Sequence, residues 1–556
     1  MSDNQDAGVS IVPIGGLGEF GLNMMVYQYD DDIVVVDAGL MFPEADMPGV
    51  DLVFPDLTYL RENRDKIKGI IITHAHEDHV GGLAFFLRQI NVPIYGTELT
   101  LALAKGRLRE YGALGMAQLN VIDSDDTVQL GCFNLEFIHV AHSIPDTVAV
   151  AIHTPVGIIV HASDFKFDQT PGDNRLTEVH KLAALGEKGV LLLISDSTNA
   201  DRPGFTPSER SIYADLSGVF QRTVGGLFLA TFSSSLHRVQ QFIDLAVEHR
   251  RLIAVSGRSM INNIRTASEL GYLDVPHNIL IDAREANRFA PHEVVVLSTG
   301  SQGEPRSGMA LIAKDDHAFL HIEPGDTVLI SARIIPGNEL SVRHMINHLL
   351  RRGAHVLHER NANIHVSGHG AQEDLKLMMN LVRPKFFIPA HGEYSNLVQH
   401  AELAEDVGIT SANITVAEDG DLISLTPEFC GVQGKVPAGR VLVDGKIDMG
   451  VENIVVHDRQ QLAQDGMVIP IVVLNSNSGD VTAGPDMVSR GFVHMDESED
   501  LMNEAKEIVI HAINHLSPGS KSETETVQEE IRVVLRRFFR KKTDRRPMVL
   551  PVVMRV

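Results

Sequence analysis

Along the first two hundred residues, short apolar runs alternate with polar turns, and nearly every run ends on an acid or an imidazole. Residues 11–14 and 24–29, an Asp30-Asp31-Asp32 turn and residues 33–36 read as strands of a hairpin; 69–72 read as a buried strand and 80–87 as the start of a helix. Residues 133–140, 147–153, 157–161 and 190–194 read as further strands. The polar groups that follow these runs are Asp37, a cluster beginning at His74, His142, Asp164 and Asp196. Gathering side chains from many strand ends is how α/β scaffolds assemble a site. Caps and turn residues give the same pattern, and for Asp37 and Asp196 taken singly that reading stands beside the functional one.

From 208 to 360 the texture becomes strand, loop, helix, repeated. Residues 227–232 lead into Ser233-Ser234-Ser235, 252–255 into Ser256-Gly257-Arg258-Ser259, 294–297 into Ser298-Thr299-Gly300-Ser301-Gln302-Gly303, and 327–331 through Pro336-Gly337-Asn338 into a helix. Such units predict a largely parallel sheet with right-handed crossovers. Small, hydroxylated loops at strand ends are natural phosphate cradles, and also ordinary turns. Metal-type residues then return in His365-Val366-Ser367-Gly368-His369 and in Pro389-Ala390-His391-Gly392-Glu393. The βα region is therefore expected to be an insertion: residues 1–207 form the first part of one domain, 208–360 the insertion and 361–440 the returning part. Residues 441–461, rich in Asp and Gly, read as a linker, and 462–556 as a small α/β tail. In the tail, Val527, Ile531, Val534, Leu535 and Phe538 have helical spacing and should face a core or a partner. Arg536, Arg537, Arg540, Lys541, Lys542, Arg545 and Arg546 could touch RNA or complement a helix dipole. The fingerprint Gly16-x-Gly18-x-x-Gly21 is followed by a hairpin rather than a helix, which argues against a dinucleotide site.

The chain has 556 residues, 44% hydrophobic and 22% charged, which suits a soluble protein of several domains. No apolar run is long enough to span a bilayer, and the polar start lacks a signal-peptide pattern. Only Cys132 and Cys430 are present, so a reducing cytoplasm is expected and any metal is held by His and Asp. A net charge of −25 argues against indiscriminate adhesion to nucleic acid or membranes, without excluding a local basic channel.

Thr73-His74-Ala75-His76-Glu77-Asp78-His79 carries the strongest chemistry. Three imidazoles and a carboxylate on one strand-to-helix loop suit zinc, with manganese or iron as alternatives.

His74-x-His76-x-Asp78-His79, with Asp37, His142, Asp164 and His391, resembles the metallo-β-lactamase superfamily. The βα insertion with Asp196, His369 and His391 resembles its β-CASP branch, whose members cut nucleic acids. Gly15–Asn23, Ser195-Asp196-Ser197-Thr198-Asn199, His365–His369, Ile388–Tyr394, Gly484-Pro485-Asp486 and Ser489-Arg490-Gly491-Phe492 are similar to signatures of the ribonuclease J family, across nearly the whole chain. One departure is Ser163, where the pattern expects Gly before Asp164.

The resemblance implies an αββα metallo-β-lactamase sandwich with an inserted β-CASP parallel-sheet domain and a small C-terminal α/β domain. It implies two zinc ions per subunit (or Mn2+ or Mg2+): one held by His74, His76 and His142, the other by Asp78, His79 and His391, with Asp164 bridging. Asp37 and Asp196 would orient ligands from outside, and Glu77 would not bind metal. His369 would stabilise or protonate the leaving oxygen, making His369, Asp78 and Asp196 the catalytic candidates. It further implies 5′→3′ degradation of single-stranded RNA, a preference for 5′-monophosphate ends, and endonucleolytic cuts, in RNA decay and maturation. Ser233, Ser234, His237, Arg238, His365 and Ser367 are the candidates for the 5′-phosphate pocket. A homodimer or homotetramer through the tail and a place in an RNA-degradation complex are also implied. Two readings stand against it: a hydrolase of small esters on the same fold, and a metal-free RNA-binding scaffold.

Overall fold

A computed structural model describes residues 8–44, 47–444, 453–493 and 498–556. The chain forms two compact units, Met1–Phe42 with Val53–Val441 and Pro43–Leu52 with Leu442–Val556. Among the described residues no helix is long and apolar enough to cross a membrane.

The first unit is built around two sheets laid face to face. In the eight-stranded sheet the antiparallel hairpin Met24–Tyr29/Asp32–Val36 lies beside the parallel strands Ile67–Ile71, Ile94–Gly96 and Leu119–Val121. The six-stranded sheet runs Phe386–Ala390, Val190–Asp196, Gly157–His161, Val148–Thr154, Phe133–His139, Thr127–Leu130. Alternate residues of both sheets meet in one core, including Ile11, Tyr27, Val34 and Ile71 from the first and Phe133, Phe137, Val150, Ile194 and Phe386 from the second. The helices Val179–Lys188 and Gln372–Val382 cover the outer face of the second sheet through Leu182, Leu185, Leu375 and Met378. Because both faces are covered, all seven residues of Val190–Asp196 are buried, which explains its unbroken apolar run. This is the expected αββα sandwich.

The chain leaves the second sheet after Val190–Asp196 and comes back to it at Phe386–Ala390, paired in parallel with Asp196 opposite Ala390. Between them lies a six-stranded sheet whose pairings are all parallel, in the order Leu280–Asp282, Leu252–Ser256, Val294–Ser298, Leu227–Ala230, Thr327–Ile330, His355–His358. The excursion therefore ends where it began, one strand over, and sets His391 beside Asp196.

In the second unit Met467–Leu474 pairs with Val481–Arg490 and with Met548–Val549 and Val552–Arg555. Helices Glu499–His515 and Thr524–Thr543 pack on this sheet, burying Val527, Ile531, Leu535 and Phe538; Val534 is half-buried. The linker expected over 441–461 needs correction. Arg440–Val443 is a strand and Asn453–Asp465 a helix, because Gln460-Gln461-Leu462-Ala463-Gln464 is good helix-forming sequence that an Asp/Gly count overlooks. The central part of that stretch, 445–452, lies outside the described residues.

Candidate metal centre

The strand Ile67–Ile71 delivers residues 73–79 to the edge of the sandwich, and a close backbone approach fixes their path. Gly39 lies against this loop so tightly that a Cβ there would stand 1.9 Å from Asp78 O. Asn23 N–H and the Asn23 side-chain amide both donate to that same carbonyl at 3.0 Å. The Gly16-x-Gly18-x-x-Gly21 segment does structural service: the His391 N–H donates to Gly16 O at 3.0 Å, and Leu17–Gly18 pairs with Gly392–Glu393.

Three overlapping donor groups converge there among the described residues, the third being Asp164, Asp196, His369 and His391. His74, His76, His142 and Asp164 form the first, Asp78, His79, Asp164 and His391 the second, with the donor atoms of each group within 4.8 Å of one another. Asp164 belongs to all three. Its Oδ2 is 3.5 Å from His74 Nε2, 3.6 Å from His142 Nε2 and 3.4 Å from His79 Nε2, while its Oδ1 is 3.4 Å from His391 Nε2. His76 Nδ1 lies 3.1 Å from both His74 Nε2 and His142 Nε2. Donors bound to zinc at about 2.0–2.2 Å stand about 3.3–3.6 Å apart at tetrahedral corners, so these spacings fit a set of metal ligands. The Asp164 carboxylate is 1% exposed, and neither oxygen has a hydrogen-bond partner among the described residues. A buried carboxylate surrounded only by imidazoles is costly unless those rings or a metal supply positive charge. The residues present therefore fit a divalent metal.

The surrounding bonds orient the ligands. His79 Nδ1 donates to Asp37 Oδ2 at 2.8 Å, and Asp37 is held by the N–H and hydroxyl of Thr73. His142 Nδ1 donates to Gly368 O at 2.8 Å. His369 Nδ1 donates to Asp196 Oδ2 at 2.8 Å, and Asp196 Oδ1 accepts from the N–H and hydroxyl of Thr198 at 2.9 and 2.7 Å. Burial, and after it His79, holds His74 well below the ordinary imidazole value; burial takes His76 down to about 4. These rings are neutral, the form that ligates metal. Burial opposes charge on His391 too, but Asp164 outweighs it and lifts that ring to about 9.

Asp196, His369 and His391 thus meet around Asp164, and Glu77 turns away to pair with Arg107, whose Nε donates to Glu77 Oε1 at 2.7 Å. The anion-binding candidates divide. Ser233 and Ser234 are half-buried just before the helix Leu236–Glu248, and Ser367 Oγ accepts from Asn199 Nδ2 at 2.9 Å. His365 is half-buried and its Nδ1 has no hydrogen-bond partner among the described residues. His237 is buried, 3.9 Å from Asp173. Arg238 is a correction: it is 1% exposed and its guanidinium is committed to Glu209 at 2.7 Å, Ile364 O at 2.9 Å and the Ser331 hydroxyl. A guanidinium so engaged cannot also grip an incoming phosphate. Sequence reasoning missed Asn23, Asn199, Glu209 and Asp374; of these only Asn23 and Asn199 lay within motifs that drew attention.

A metal-fitting pocket at the rim of an αββα sandwich, with a parallel-sheet insertion beside it, defines a metallo-β-lactamase-type hydrolase. Family models match accordingly: the metallo-beta-lactamase superfamily over residues 17–202, the ribonuclease J beta-CASP domain over 224–349, the Zn-dependent metallo-hydrolase RNA specificity domain over 354–414 and the ribonuclease J C-terminal domain over 454–556. Ribonuclease J of Synechocystis is 43% identical, covering 99% of this chain and 87% of that protein. Ribonuclease J2 of Bacillus subtilis is 39% identical over the full length of both, and ribonuclease J of Thermus thermophilus is 43% identical over 98% of this chain and 95% of its own. A solved Enterococcus faecalis protein of unknown function covers 75% of the chain with a TM-score of 0.54 at 15% identity, a likeness of fold alone. The chain belongs to the ribonuclease J family. It is a metal-dependent hydrolase that cleaves RNA, and the small-ester and metal-free readings give way.

Proposed function

We propose a two-metal RNA phosphodiesterase that degrades single-stranded RNA 5′→3′ from 5′-monophosphate ends and also cuts internally. The observation that carries this reading is the buried Asp164 carboxylate, set between two groups of His and Asp donors. His74, His76 and His142 would hold one ion and Asp78, His79 and His391 the other, Asp164 bridging. Nitrogen-rich sets at tetrahedral spacing favour zinc over manganese or magnesium. When bound, two such ions lower the pKa of water from 15.7 toward about 7 and clamp the oxygens of an in-line displacement.

The chain's own residues do the rest. Asp37 fixes the His79 ring with Nε2 facing the donors, and Asp196 fixes His369 in the same way. With Nδ1–H given to Asp196, His369 keeps Nε2 for the leaving oxygen, where it donates a proton. Ser233, Ser234, His237, His365 and Ser367 supply the 5′-phosphate pocket. Burial, then Arg238, push His365 down to about 3.

This reading carries with it the division 1–207, 208–360 and 361–440, a C-terminal domain that takes in the helix Asn453–Asp465 ahead of 462–556, assembly through that domain as a dimer or tetramer, a cytoplasmic setting and a role beside other RNA-decay proteins. The test compares labelled RNAs bearing 5′-monophosphate, 5′-triphosphate or no free end. Faster release of nucleoside 5′-monophosphates from the first, with slower cutting of a circle, is the expected result; equal rates on all three contradict it.

A further inference from the structure

Phe205 is a large apolar side chain left 59% exposed, within a segment, Asp201-Arg202-Pro203-Gly204-Phe205, that is exposed throughout. Exposure here is not looseness. Gln372 N–H donates to Arg202 O at 2.9 Å and Glu373 N–H to Gly204 O at 3.0 Å. One residue on, Thr206 is pinned twice: its N–H donates to Asp374 Oδ2 at 2.8 Å and its hydroxyl to the His369 carbonyl at 2.7 Å. Asp374, fully buried, also accepts the N–H of Phe167 and of Ala371, each at 3.0 Å. The ring is thus presented from a backbone clamped to the segments that carry His369 and Asp164. Ordering that would otherwise accompany binding is already complete in the free protein.

Positive charge stands beside it. Arg202 is exposed three positions before the ring, next to the acidic Asp201; burial and then Arg202 hold Arg333 below the ordinary arginine value, with Asp201 and Glu359 acting against them. Arg333 donates to Asn199 Oδ1, and Asn199 Nδ2 in turn donates to Ser367 Oγ and His369 O, each at 2.9 Å. In a chain of net charge −25 the surface as a whole offers a polyanion no general attraction, so a single exposed guanidinium such as Arg202 matters more. Aromatic faces for bases beside cations for phosphates are the combination that holds single strands.

We propose that Arg202 and Phe205 form a subsite for single-stranded RNA next to His369, the ring stacking on one base and the guanidinium meeting an adjoining phosphate. The proposal rests on RNA being the substrate. Stacking is indifferent to which base it meets, so the subsite grips any sequence and resists duplexes, whose bases are already stacked.

The chain has no tryptophan, so Phe205→Trp installs a single reporter on the subsite. Its emission is expected to be quenched on rapid mixing with single-stranded RNA and not with duplex. Phe205→Ala is expected to raise KM for single-stranded RNA about 10-fold with a smaller change in kcat. Arg202→Gln should reduce the salt dependence of binding. Val224→Ala, at a residue 86% exposed in the turn before Leu227–Ala230, is the control and leaves KM unmoved. An unchanged KM in Phe205→Ala overturns the proposal, as does a changed oligomeric mass at constant KM, which would mean that a second copy covers the ring. RNA cleavage by the unaltered protein, measured alongside, separates failure of the subsite from failure of RNA as substrate.

Discussion

Two buried clusters of charge lie two residues apart in sequence and answer the cost of burial in opposite ways. Lys166 and Asp168 join Glu209 and Arg238 in a network, Lys166 Nζ 3.3 Å from Asp168 Oδ2 and Arg238 Nη2 2.7 Å from Glu209 Oε2, with all four residues no more than 3% exposed. Each charge there has an opposite charge beside it. Asp164 instead has only imidazole nitrogens around it, at 3.4–3.6 Å, and the charge it draws onto His391 sits on a candidate metal ligand rather than on a lysine or arginine. Charges that close on themselves hold the fold; a carboxylate left open among ligands is built for something that arrives later. The same contrast explains why Arg238, close to the candidate phosphate pocket, is unavailable to it.

The sharpest way to break this comparison is to remove donors from the open cluster. Asp78→Ala combined with His79→Ala should lower RNA cleavage by about 1,000-fold or more while the circular dichroism spectrum and oligomeric mass stay unchanged. A variant that keeps its turnover would end the two-metal account. In the closed cluster the effect should fall on stability. Burial raises the Glu209 carboxyl, but Arg238 and then Lys166 outweigh it and hold it at about 2, against 4.5 in the unfolded chain. A depressed carboxyl contributes stability that is fully present above pH 4.5 and is lost as pH falls through about 2. Glu209→Gln should therefore cost about 3 kcal/mol at neutral pH, and its penalty in denaturant titrations should shrink on acidification through that window.

Between the two clusters stands Asp37, buried like the closed set yet bonded to a ligand of the open one. Asp37→Asn should lower metal affinity or activity about 10- to 100-fold, with chelator competition as the measure. The smallest effect belongs to Ser163, which sits in the left-handed region at φ 56° with its buried hydroxyl unpartnered. Ser163→Gly should stabilise by about 1 kcal/mol in denaturant unfolding, since glycine carries no Cβ penalty there. That φ also gives the physical reason why glycine suits the position before Asp164.

Much of the open cluster was legible because its donors crowd into residues 74–79 and recur at strand ends, where local pattern and function coincide. The inserted sheet was legible from its repeated strand-loop-helix texture, and its return from the apolar run before His391. The closed cluster was not. Glu209 lies 29 positions from Arg238, and nothing local to either residue announces the other. Ser233-Ser234-Ser235-Leu236-His237-Arg238 reads as an anion loop until the helix beginning at Leu236 turns Arg238 inward. Asp374 was invisible for the same reason: it ties Phe167, Thr206 and Ala371 together, and two of those three contacts span more than 160 residues.

The most direct test of the central claim is a titration of metal-stripped protein with zinc, following bound metal per chain and cleavage of a 5′-monophosphorylated single-stranded RNA in the same samples. Two ions bound per chain, with cleavage appearing as the second site fills and lost in Asp164→Asn, is the predicted result. Full cleavage with one ion per chain, or in the presence of excess chelator, would contradict it.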